Sequence, residues 1–340
     1  MTSAFTILRK RLVKPIRTAG IIGAGISGLA CAQTLRSSGV EVTILEKSRG
    51  IGGRLATRRM DSGVTFDHGA QYFTARDPRF AALVSQWCAV GTASLWTRRI
   101  VSIDGGIVTD FEEPRERYVG APAMNTIAKS LATDLDVRTN VTVQAVRRTE
   151  EQWQIEDSAG TQFDPYDLLI STAPPLQSRA LLGSHSTALD QSLSRVIMDP
   201  CWTVMLQAKE PLATSFNAAF VRNSPLSWVA RNSSKPNRPA SECWVLQASG
   251  QWSRENLEET ADTIAEKLTA EFWHVLKQEP QPTEFVTAHR WRYAAPQEPL
   301  PERYLLDREL ALGACGDWCG GPRVEGAYLS GIALAEAILS

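Results

Sequence analysis

The sequence lacks long apolar runs and carries almost no net charge. It has no stretch of about eighteen consecutive apolar residues, so we expect no membrane-spanning helix. The formal net charge is −1 over 340 residues, which excludes a strong long-range attraction to nucleic acid or to an anionic membrane. With 43% hydrophobic residues, the chain has the composition of a globular protein of one large or two interleaved domains. We therefore expect a small-molecule partner.

Cysteine is sparse, and its spacing fits neither a disulfide framework nor a metal site. The six cysteines are scattered, and we recognise no signal peptide, so we expect reduced thiols in a cytoplasmic protein. Cys315 and Cys319 are close in sequence but do not have the C-x-x-C spacing of a redox or zinc pair. We expect no bound metal.

Residues 1–17 contain no acidic side chain but five basic ones. This composition fits either a transit-type presequence or a disordered, mis-started basic arm. We favour the arm, because the segment is not rich in serine and shows no clear cleavage site.

A glycine-rich motif near the amino terminus predicts a dinucleotide site. Residues 19–30 combine a short apolar run, the pattern G-x-G-x-x-G and a segment of small residues, as in a strand–turn–helix unit. In this motif Gly23 permits the tight turn, Gly25 the approach of a pyrophosphate, and Gly28 the close packing of helix on strand. The next predicted strand ends at Glu46, where a carboxylate can bind a ribose diol. The predicted contacts are Gly23, Ala24, Gly25, Ile26, Ser27, Gly28, Glu46 and Lys47.

A second glycine cluster decides the cofactor. Residues 47–57 read Lys-Ser-Arg-Gly-Ile-Gly-Gly-Arg-Leu-Ala-Thr, whereas a nicotinamide enzyme would continue with a plain crossover. A cluster closed by Arg54 suits a long, bent dinucleotide whose far end reaches another domain. The sequence therefore predicts FAD, with Gly53 and Arg54 near its pyrophosphate.

The segment 64–74 predicts a strand that ends where the backbone passes close to a flat group. Gln71 and Tyr72 are candidates for the flavin face, since an amide and a phenol orient a substrate without adding charge. His68 has two interpretations. It is either a functional residue, as a covalent flavin anchor or a catalytic base, or a residue that makes local hydrogen bonds. We favour the local hydrogen-bonding role.

The middle third predicts a second domain. Short β-rich runs between residues 202 and 248 are separated by Pro, Asn and Ser, which favours an antiparallel sheet. Ser253 is expected to cap a long helix whose apolar stripe covers this sheet. The polar loop 231–239 is either a substrate-binding loop or an exposed hairpin tip.

The predicted fold class is α/β, a Rossmann-type FAD-binding domain with an interleaved antiparallel-sheet α+β substrate domain. We assign residues 18–76, 124–175 and 311–340 to the FAD-binding domain. Residues 77–123 and 176–310 are assigned to the substrate domain.

A late strand predicts substrate contacts. In residues 285–293, His289 with Arg290 or Arg292 could hold phosphate or carboxamide groups, with packing as the alternative interpretation.

The carboxyl-terminal segment is also predicted to contact the cofactor. Asp317 can accept a hydrogen bond from a ribityl hydroxyl. A helix that begins near Arg323 is rich in small residues, so it can lie close to the sheet and present its amino terminus to the flavin.

Together these segments resemble a known family. Residues 19–57 and 312–339 are similar to the two ends of the FAD-dependent amine oxidase superfamily. More narrowly, the motifs at 67–77 (DHGAQYFTARD), 224–236 (SPLSWVARNSSKP) and 315–319 (CGDWC) resemble those of bacterial renalase-like FAD-dependent oxidoreductases. The sequence departs from this family at His68, where we expect an apolar residue, and at Gln247, where we expect histidine.

The resemblance implies an oxidase that converts the 2- and 6-dihydro isomers of NAD(P)H into NAD(P)+ and reduces oxygen to hydrogen peroxide. Hydride transfer from a dihydropyridine to flavin gives an aromatic cation and needs no general base, so the protein has only to stack and orient the ring. Two other functions stay open. One is oxidation or desaturation of an amine or another small molecule, with Tyr72 and Trp318 or Trp291 as an aromatic pair. The other is flavin binding without turnover.

The predicted site residues also include positions with three expected roles. Gln71, Tyr72 and His289 are expected to orient the substrate. Further cofactor contacts are expected at Gly69, Ala70, Gln71, Val143, Gly316, Asp317, Arg323 and Val324. Substrate contacts are expected at Tyr72, Trp228, Asn232, Arg290 and Trp291.

Overall fold

The computed structural model describes residues 15–111 and 115–340. The basic arm predicted for residues 1–17 lies outside the described residues except for its last three positions. The strands, in chain order, are β1 (Thr18–Ile22), β2 (Glu41–Glu46), β3 (Thr57–Arg59), β4 (Thr65–Asp67), β5 (Ala93–Leu95), β6 (Ile100–Asp104), β7 (Ile107–Asp110), β8 (Tyr118–Gly120), β9 (Asp136–Thr139), β10 (Val143–Thr149), β11 (Gln152–Asp157), β12 (Leu168–Ser171), β13 (Met198–Ala208), β14 (Ala218–Arg222), β15 (Leu226–Arg231), β16 (Cys243–Ala248), β17 (Thr283–Pro296), β18 (Leu305–Asp307) and β19 (Leu312–Ala314). The helices are α1 (Ile26–Ser37), α2 (Pro78–Ala89), α3 (Thr126–Leu131), α4 (Pro175–Leu182), α5 (Thr187–Ser194), α6 (Gly250–Glu255), α7 (Ala261–Leu276) and α8 (Val324–Leu339).

A six-stranded sheet in the order β18-β19-β12-β1-β2-β9 forms the nucleotide-binding half. Its strands are parallel except for β18, which pairs antiparallel with β19. Because successive side chains point to opposite faces, Ile21 packs into the core with α1 and α8, and Ile22 packs into a second core on the other face. Burial on both faces explains why β1 and β12 read as continuous apolar runs.

A seven-stranded sheet in the order β17-β13-β16-β15-β14-β6-β7 forms the other half. Its pairs are antiparallel except for β14 with β6. Val204 and Leu246 pack with α7 on one face, and the apolar stripe of α7 (Ile264, Leu268, Phe272 and Val275) is buried there. The sequence therefore predicted correctly both this sheet and the helix that covers it, and the predicted fold class is confirmed.

The short hairpin β3–β4 links the two halves. Phe66 on β4 packs with Met205 and Val245 on the face of the seven-stranded sheet opposite α7. Its ring lies 5.9 Å from that of Phe285 on β17. The hairpin thus brings the residues that follow β4 against β17, at the edge of the seven-stranded sheet.

Two local predictions were wrong in detail. Ser253 does not cap a long helix, because α6 begins after the cap Ser249 and α7 begins after the cap Thr260. Instead, Ser253 is buried inside α6 and its hydroxyl accepts a hydrogen bond from the Trp202 amide at 3.1 Å. The sequence also predicts a single strand over residues 137–147, whereas the structure divides this segment into β9 and β10.

The six cysteines are free thiols. Among residues 15–111 and 115–340, no helix combines the length and apolar character needed to cross a membrane. The domain boundaries given above stay a prediction.

Candidate cofactor and substrate site

A cavity of about 2020 Å³ is lined by residues of both halves. It brings together most of the predicted site residues: Gly23, Gly25, Ile26, Ser27, Glu46, Lys47, Gly53, Arg54, Gly69, Ala70, Tyr72, Val143, His289, Arg290, Trp291, Gly316, Asp317, Arg323 and Val324. Five others do not line it, namely Ala24, Gly28, Gln71, Trp228 and Asn232.

The glycine-rich loop has the shape that its sequence predicts. Gly23 has φ +105°, a conformation that favours glycine. A Cβ atom on Gly28 would lie 2.2 Å from the Gly23 carbonyl oxygen, so only glycine allows α1 to approach β1 this closely. A Cβ atom on Gly25, the residue before α1, would meet nothing within 4 Å. The space beside the α1 amino terminus is therefore open to an anionic group.

Glu46 is fixed by backbone amides at the end of β2. Its carboxylate accepts hydrogen bonds from the amides of Ala24 and Ser48, both at 2.8 Å. Each carboxylate oxygen has a further lone pair, so the side chain can still accept hydrogen bonds from two hydroxyl groups. Its position on the cavity wall fits the predicted ribose contact.

Arg54 and Asp317 form a bidentate ion pair that sequence reasoning missed. The two N–H···O distances are both 2.7 Å, and Arg54 also donates to the Ala294 carbonyl at 2.8 Å. The pair joins the second glycine cluster to the segment after β19, and both residues line the cavity. Their separate roles at the pyrophosphate and the ribityl chain stay predictions.

Behind the cavity lies a cluster of three buried charges, Asp67, Lys235 and Arg238, whose side chains are fully buried. Asp67 accepts from Lys235 Nζ at 3.3 Å and from Arg238 Nη2 at 2.6 Å. Burial alone would raise the pKa of Asp67, but the two cations outweigh it and lower that pKa to about 2. For Lys235, burial lowers the pKa to about 8, although Asp67 opposes the shift. The loop 231–239 is therefore anchored by a buried cluster and is not an exposed hairpin tip.

Gln71 and Asn232 belong to the surroundings of this cluster. Gln71 donates to the Asp67 carbonyl at 2.5 Å and accepts from Lys235 Nζ at 3.2 Å. Asn232, which is fully buried, donates to the Thr65 carbonyl at 2.8 Å. Both amides thus hold the segment 65–71 in place, and the structure does not bring either to the cavity wall.

Imidazole and indole rings line the cavity beside β17. His68 stacks on Trp291 with ring centroids 5.3 Å apart, and His289 lies 4.9 Å from His68 in an edge arrangement. Trp291 Nε1 donates to the His68 backbone carbonyl at 2.8 Å, which fixes the indole ring. Burial, His289 and Arg58 lower the pKa of His68 to about 4, and burial with Arg58 also lowers the pKa of His289. Both imidazoles are therefore neutral at pH 7.

The remaining predicted substrate residues lie in two layers. Tyr72 lines the cavity, and Trp228 packs behind it with ring centroids 5.6 Å apart. At the position where histidine was expected, Gln247 donates to the Gly69 carbonyl at 2.8 Å. Arg290 lines the cavity but donates to the Leu257 carbonyl at 2.6 Å and to Glu258 at 3.0 Å.

The cavity is strongly basic although the chain is not. Nine lysine or arginine residues line it, against four carboxylates, whereas the whole chain has a net charge of −1. The basic residues are Lys47, Arg49, Arg54, Arg58, Arg59, Arg76, Arg290, Arg292 and Arg323, and the acidic ones are Glu46, Asp61, Asp199 and Asp317. This excess favours ligands that carry phosphate groups.

These features fit FAD. The open space at Gly25 beside the start of α1 suits a pyrophosphate, and the remaining acceptor capacity of Glu46 suits a ribose. The cavity then continues past Arg54 and Asp317 to the seven-stranded sheet, as the predicted path of the cofactor requires.

Comparison with known proteins agrees with this assignment. Residues 21–87 match a model described as an NAD(P)-binding Rossmann-like domain. Two curated relatives match shorter segments. The chain is 39% identical over 64 residues to protoporphyrinogen oxidase 2 of Arabidopsis thaliana. This match covers 19% of the present chain and 12% of the Arabidopsis protein. It is 36% identical over 90 residues to human lysine-specific histone demethylase 2. This match covers 26% of the present chain and 11% of the human protein. The matches thus span about a tenth of each relative's length.

Solved structures share the fold over nearly the whole chain. A protein of Exiguobacterium sp. 255-15 with the provisional name protoporphyrinogen oxidase superposes with a TM-score of 0.76 at 14% identity, covering 95% of this chain and 98% of that one. Putrescine oxidase bound to putrescine superposes with a TM-score of 0.69 at 16% identity, covering 95% and 99%.

A second family model, described as flavin containing amine oxidoreductase, matches residues 105–339. This match covers more than half of the chain and contains β17 and α8. Together with the Rossmann-like segment and the cavity, it establishes FAD as the cofactor. The chain belongs to the flavin containing amine oxidoreductase family.

Proposed function

We propose that this protein is an oxidase that converts the 2- and 6-dihydro isomers of NAD(P)H into NAD(P)+. In this reaction the substrate loses a hydride, and oxygen takes up two electrons and two protons to give hydrogen peroxide. The observation that carries the proposal is the neutral aromatic wall formed by His68, His289 and Trp291.

The titratable groups near this wall favour a reaction that needs no general base. Asp199 is held by Arg254 and Gln297, and burial raises the pKa of the Cys201 thiol to about 11. The lowered pKa values of His68 and His289 make both imidazoles weaker bases than an unperturbed histidine. Loss of a hydride from a dihydropyridine leaves an aromatic cation directly, so no proton has to be removed from carbon.

The protein's contribution would then be binding and orientation. Bound FAD would supply the hydride acceptor and the route of the electrons to oxygen. Trp291 and His289 offer flat surfaces against which a planar ring can stack. Gln247 and the Arg54 carbonyl hold the Gly69–Ala70 backbone in place through hydrogen bonds at 2.8 Å each. The basic cavity would receive the phosphates of the nucleotide.

Amine oxidation is the second candidate. Tyr72 and Trp291 both line the cavity and could form the aromatic pair that such a reaction uses. Trp318, the other candidate for this pair, is buried and does not line the cavity. The putrescine-bound structure named above has the same fold. The excess of basic residues around the cavity argues against a cationic amine, because like charges repel.

Anaerobic reduction of the bound flavin separates the candidates. The purified protein is mixed in separate cuvettes with 6-dihydro-NAD, with ordinary NADH and with putrescine, and the flavin absorbance is followed. We expect rapid bleaching by the 6-dihydro isomer alone, and release of hydrogen peroxide when air is admitted. Bleaching by putrescine alone would support amine oxidation, and bleaching by neither the isomer nor the amine would support flavin binding without turnover.

A further inference from the structure

Arg58 lies in the middle of β3 between two residues that are engaged elsewhere. The Thr57 hydroxyl donates to Asp67 at 2.7 Å, and Arg59 donates to Asn125 at 3.1 Å. Because side chains alternate across a strand, Arg58 points to the opposite side from both. On that side its cross-strand partner is Phe66, and His68 follows two residues later.

Arg58 is exposed and lines the cavity. Its side chain makes no ion pair or hydrogen bond with residues 15–111 or 115–340. Its charge nevertheless reaches the site, because it contributes to the lowered pKa of both His68 and His289.

Three other arginines of the cavity wall are paired with carboxylates, whereas Arg59 donates to the neutral Asn125 side chain. Arg54 is paired with Asp317 at 2.7 Å. Arg290 and Arg292 share Glu258, at 3.0 and 2.7 Å. Arg58 therefore supplies a positive charge that no described carboxylate balances.

His68 offers a polar atom beside this charge. The side chain is 8% exposed, and its Nδ1 atom is buried with no hydrogen-bond partner among the described residues. A buried polar atom without a partner is costly, and a half-turn of the ring exchanges the positions of Nδ1 and Cδ2. The imidazole can thus donate a hydrogen bond to an anion once a ligand is bound.

We propose that Arg58, assisted by His68 and His289, forms an anion subsite that binds the phosphate of a nicotinamide nucleotide. A guanidinium matches the geometry of phosphate oxygens with two parallel N–H donors. The subsite lies beside the Trp291 and His289 rings, so a ring stacked there would bring its own ribose phosphate toward Arg58. The identity of the ligand rests on the proposed function, whereas the binding of phosphate does not require turnover.

The test compares two probes that differ only by a phosphate, nicotinamide mononucleotide and nicotinamide riboside. Each is titrated into the oxidised holoenzyme at low ionic strength, and the dissociation constant is read from the flavin spectrum and from tryptophan fluorescence. We expect the parent to bind the mononucleotide at least about tenfold more tightly than the riboside. In Arg58→Gln this preference disappears, with no change for the riboside, and Arg58→Lys retains part of it.

Two controls accompany these variants. Arg195→Gln removes an exposed arginine that does not line the cavity and should bind both probes as the parent does. The FAD-to-protein ratio of each variant shows that the fold and the cofactor are retained, and Arg58→Lys provides a folded comparison if Arg58→Gln loses FAD.

Three results would overturn the subsite. They are an unchanged preference in Arg58→Gln, an equal weakening of both probes, and failure of the parent to bind either probe. Failure of the proposed reaction is a separate result. If the dihydro isomers do not bleach the flavin but the phosphate preference depends on Arg58, the proposed subsite is supported and the proposed reaction is rejected. If the isomers bleach the flavin and Arg58→Gln leaves the preference for the mononucleotide unchanged, the proposed reaction is supported and the proposed subsite is rejected.

Discussion

Among the residues that the structure describes, Asp67 is the one carboxylate that pairs with the fully buried Lys235 and Arg238 side chains. It also accepts hydrogen bonds from the Thr57 hydroxyl at 2.7 Å and the Met124 amide at 3.0 Å. Breaking a buried ion pair by removing one partner leaves a charge that neither water nor a counter-ion stabilises. This carboxylate therefore determines whether the loop 231–239 can be buried against the segment 65–71.

We predict that Asp67→Asn destabilises the protein strongly, because Lys235 and Arg238 lose their counter-charge while the shape of the side chain is kept. The free energy of unfolding in urea, at saturating FAD, should fall by about 3–5 kcal/mol. Asp110→Asn is the matched control, since Asp110 is exposed and pairs with Arg99 on the surface. It should change the free energy of unfolding by less than about 1 kcal/mol. A loss in Asp67→Asn as small as in the control would show that the cluster is neutral to stability.

A second residue-scale prediction concerns the cofactor. Glu46→Ala removes the acceptor of the Ala24 and Ser48 amides and the proposed acceptor of the ribose hydroxyls. We expect the dissociation constant of FAD to rise about 10- to 100-fold, as for the loss of charge-assisted hydrogen bonds. Fluorescence quenching on titration of apoprotein with FAD measures it. Glu41→Ala, at the exposed start of the same strand, should bind FAD as the parent does, and equal affinity of both variants would rule out the ribose assignment.

At the scale of the elements, two helices from opposite ends of the chain pack closely. A Cβ atom on Gly331 of α8 would lie 2.2 Å from the Ser27 carbonyl oxygen of α1. The Ser27 hydroxyl donates to the Cys315 sulfur at 3.1 Å. The contact between α1 and α8 thus sets the distance between the glycine-rich loop and the segment after β19.

We predict that Gly331→Ala separates these helices and lowers the free energy of unfolding by about 1–3 kcal/mol, with weaker FAD binding. Gly50→Ala serves as the control for unfolding, because a Cβ atom there would meet nothing within 4 Å and the backbone has no positive φ. Chemical denaturation measures the free energy of unfolding of both variants. If Gly331→Ala is as stable as Gly50→Ala, the two helices can move apart without cost.

Local sequence pattern accounts for most elements but not for their long-range contacts. The glycine motif predicted the β1–α1–β2 unit because each glycine acts within a few residues of its own position. The Arg54–Asp317 pair joins positions 263 residues apart, and Asp67 and Lys235 are 168 apart. Sequence periodicity does not reveal contacts between residues so far apart in the chain. The sequence therefore placed Lys235 in a polar loop and gave no sign that its side chain is buried. The same limit explains why Gln71 and Asn232, which were expected to contact the substrate, do not line the cavity.

The two sheets share the cavity between them and also part of one core, in which Ile21 of β1 is clustered with Ile100 of β6 and Trp228 of β15. The core beneath α1 and α8 contains Ile21 and Leu334, and the core beneath α7 contains Val204 and Phe272. Polar and apolar contacts both join the halves: Arg54 donates to the Ala294 carbonyl on β17 at 2.8 Å, and Phe66 on β4 packs with Met205 on β13.

The last prediction follows from the buried histidines. The folded-state pKa of His68 is lowered to about 4, below its value of about 6.5 in an unfolded chain, so the unfolded state binds more protons between these values. The stability that neutral His68 contributes is fully present above about pH 6.5 and is lost as the pH falls toward 4. The lowered pKa of His289 acts in the same direction. Asp67, with a pKa of about 2, contributes stability that is lost only below about pH 4, so the two effects occupy different windows.

We expect the free energy of unfolding of the parent to fall by about 3 kcal/mol between pH 7 and pH 4 through His68 alone. In His68→Phe this fall should be smaller, because phenylalanine cannot take up a proton. His274→Phe changes an exposed histidine on α7 and should leave the pH dependence as in the parent. The measurement is urea denaturation of the apoprotein at half-unit steps of pH. Parallel curves for the parent and His68→Phe would mean that His68 is not held neutral against Trp291, and the neutral aromatic wall on which the proposed reaction depends would lose its support.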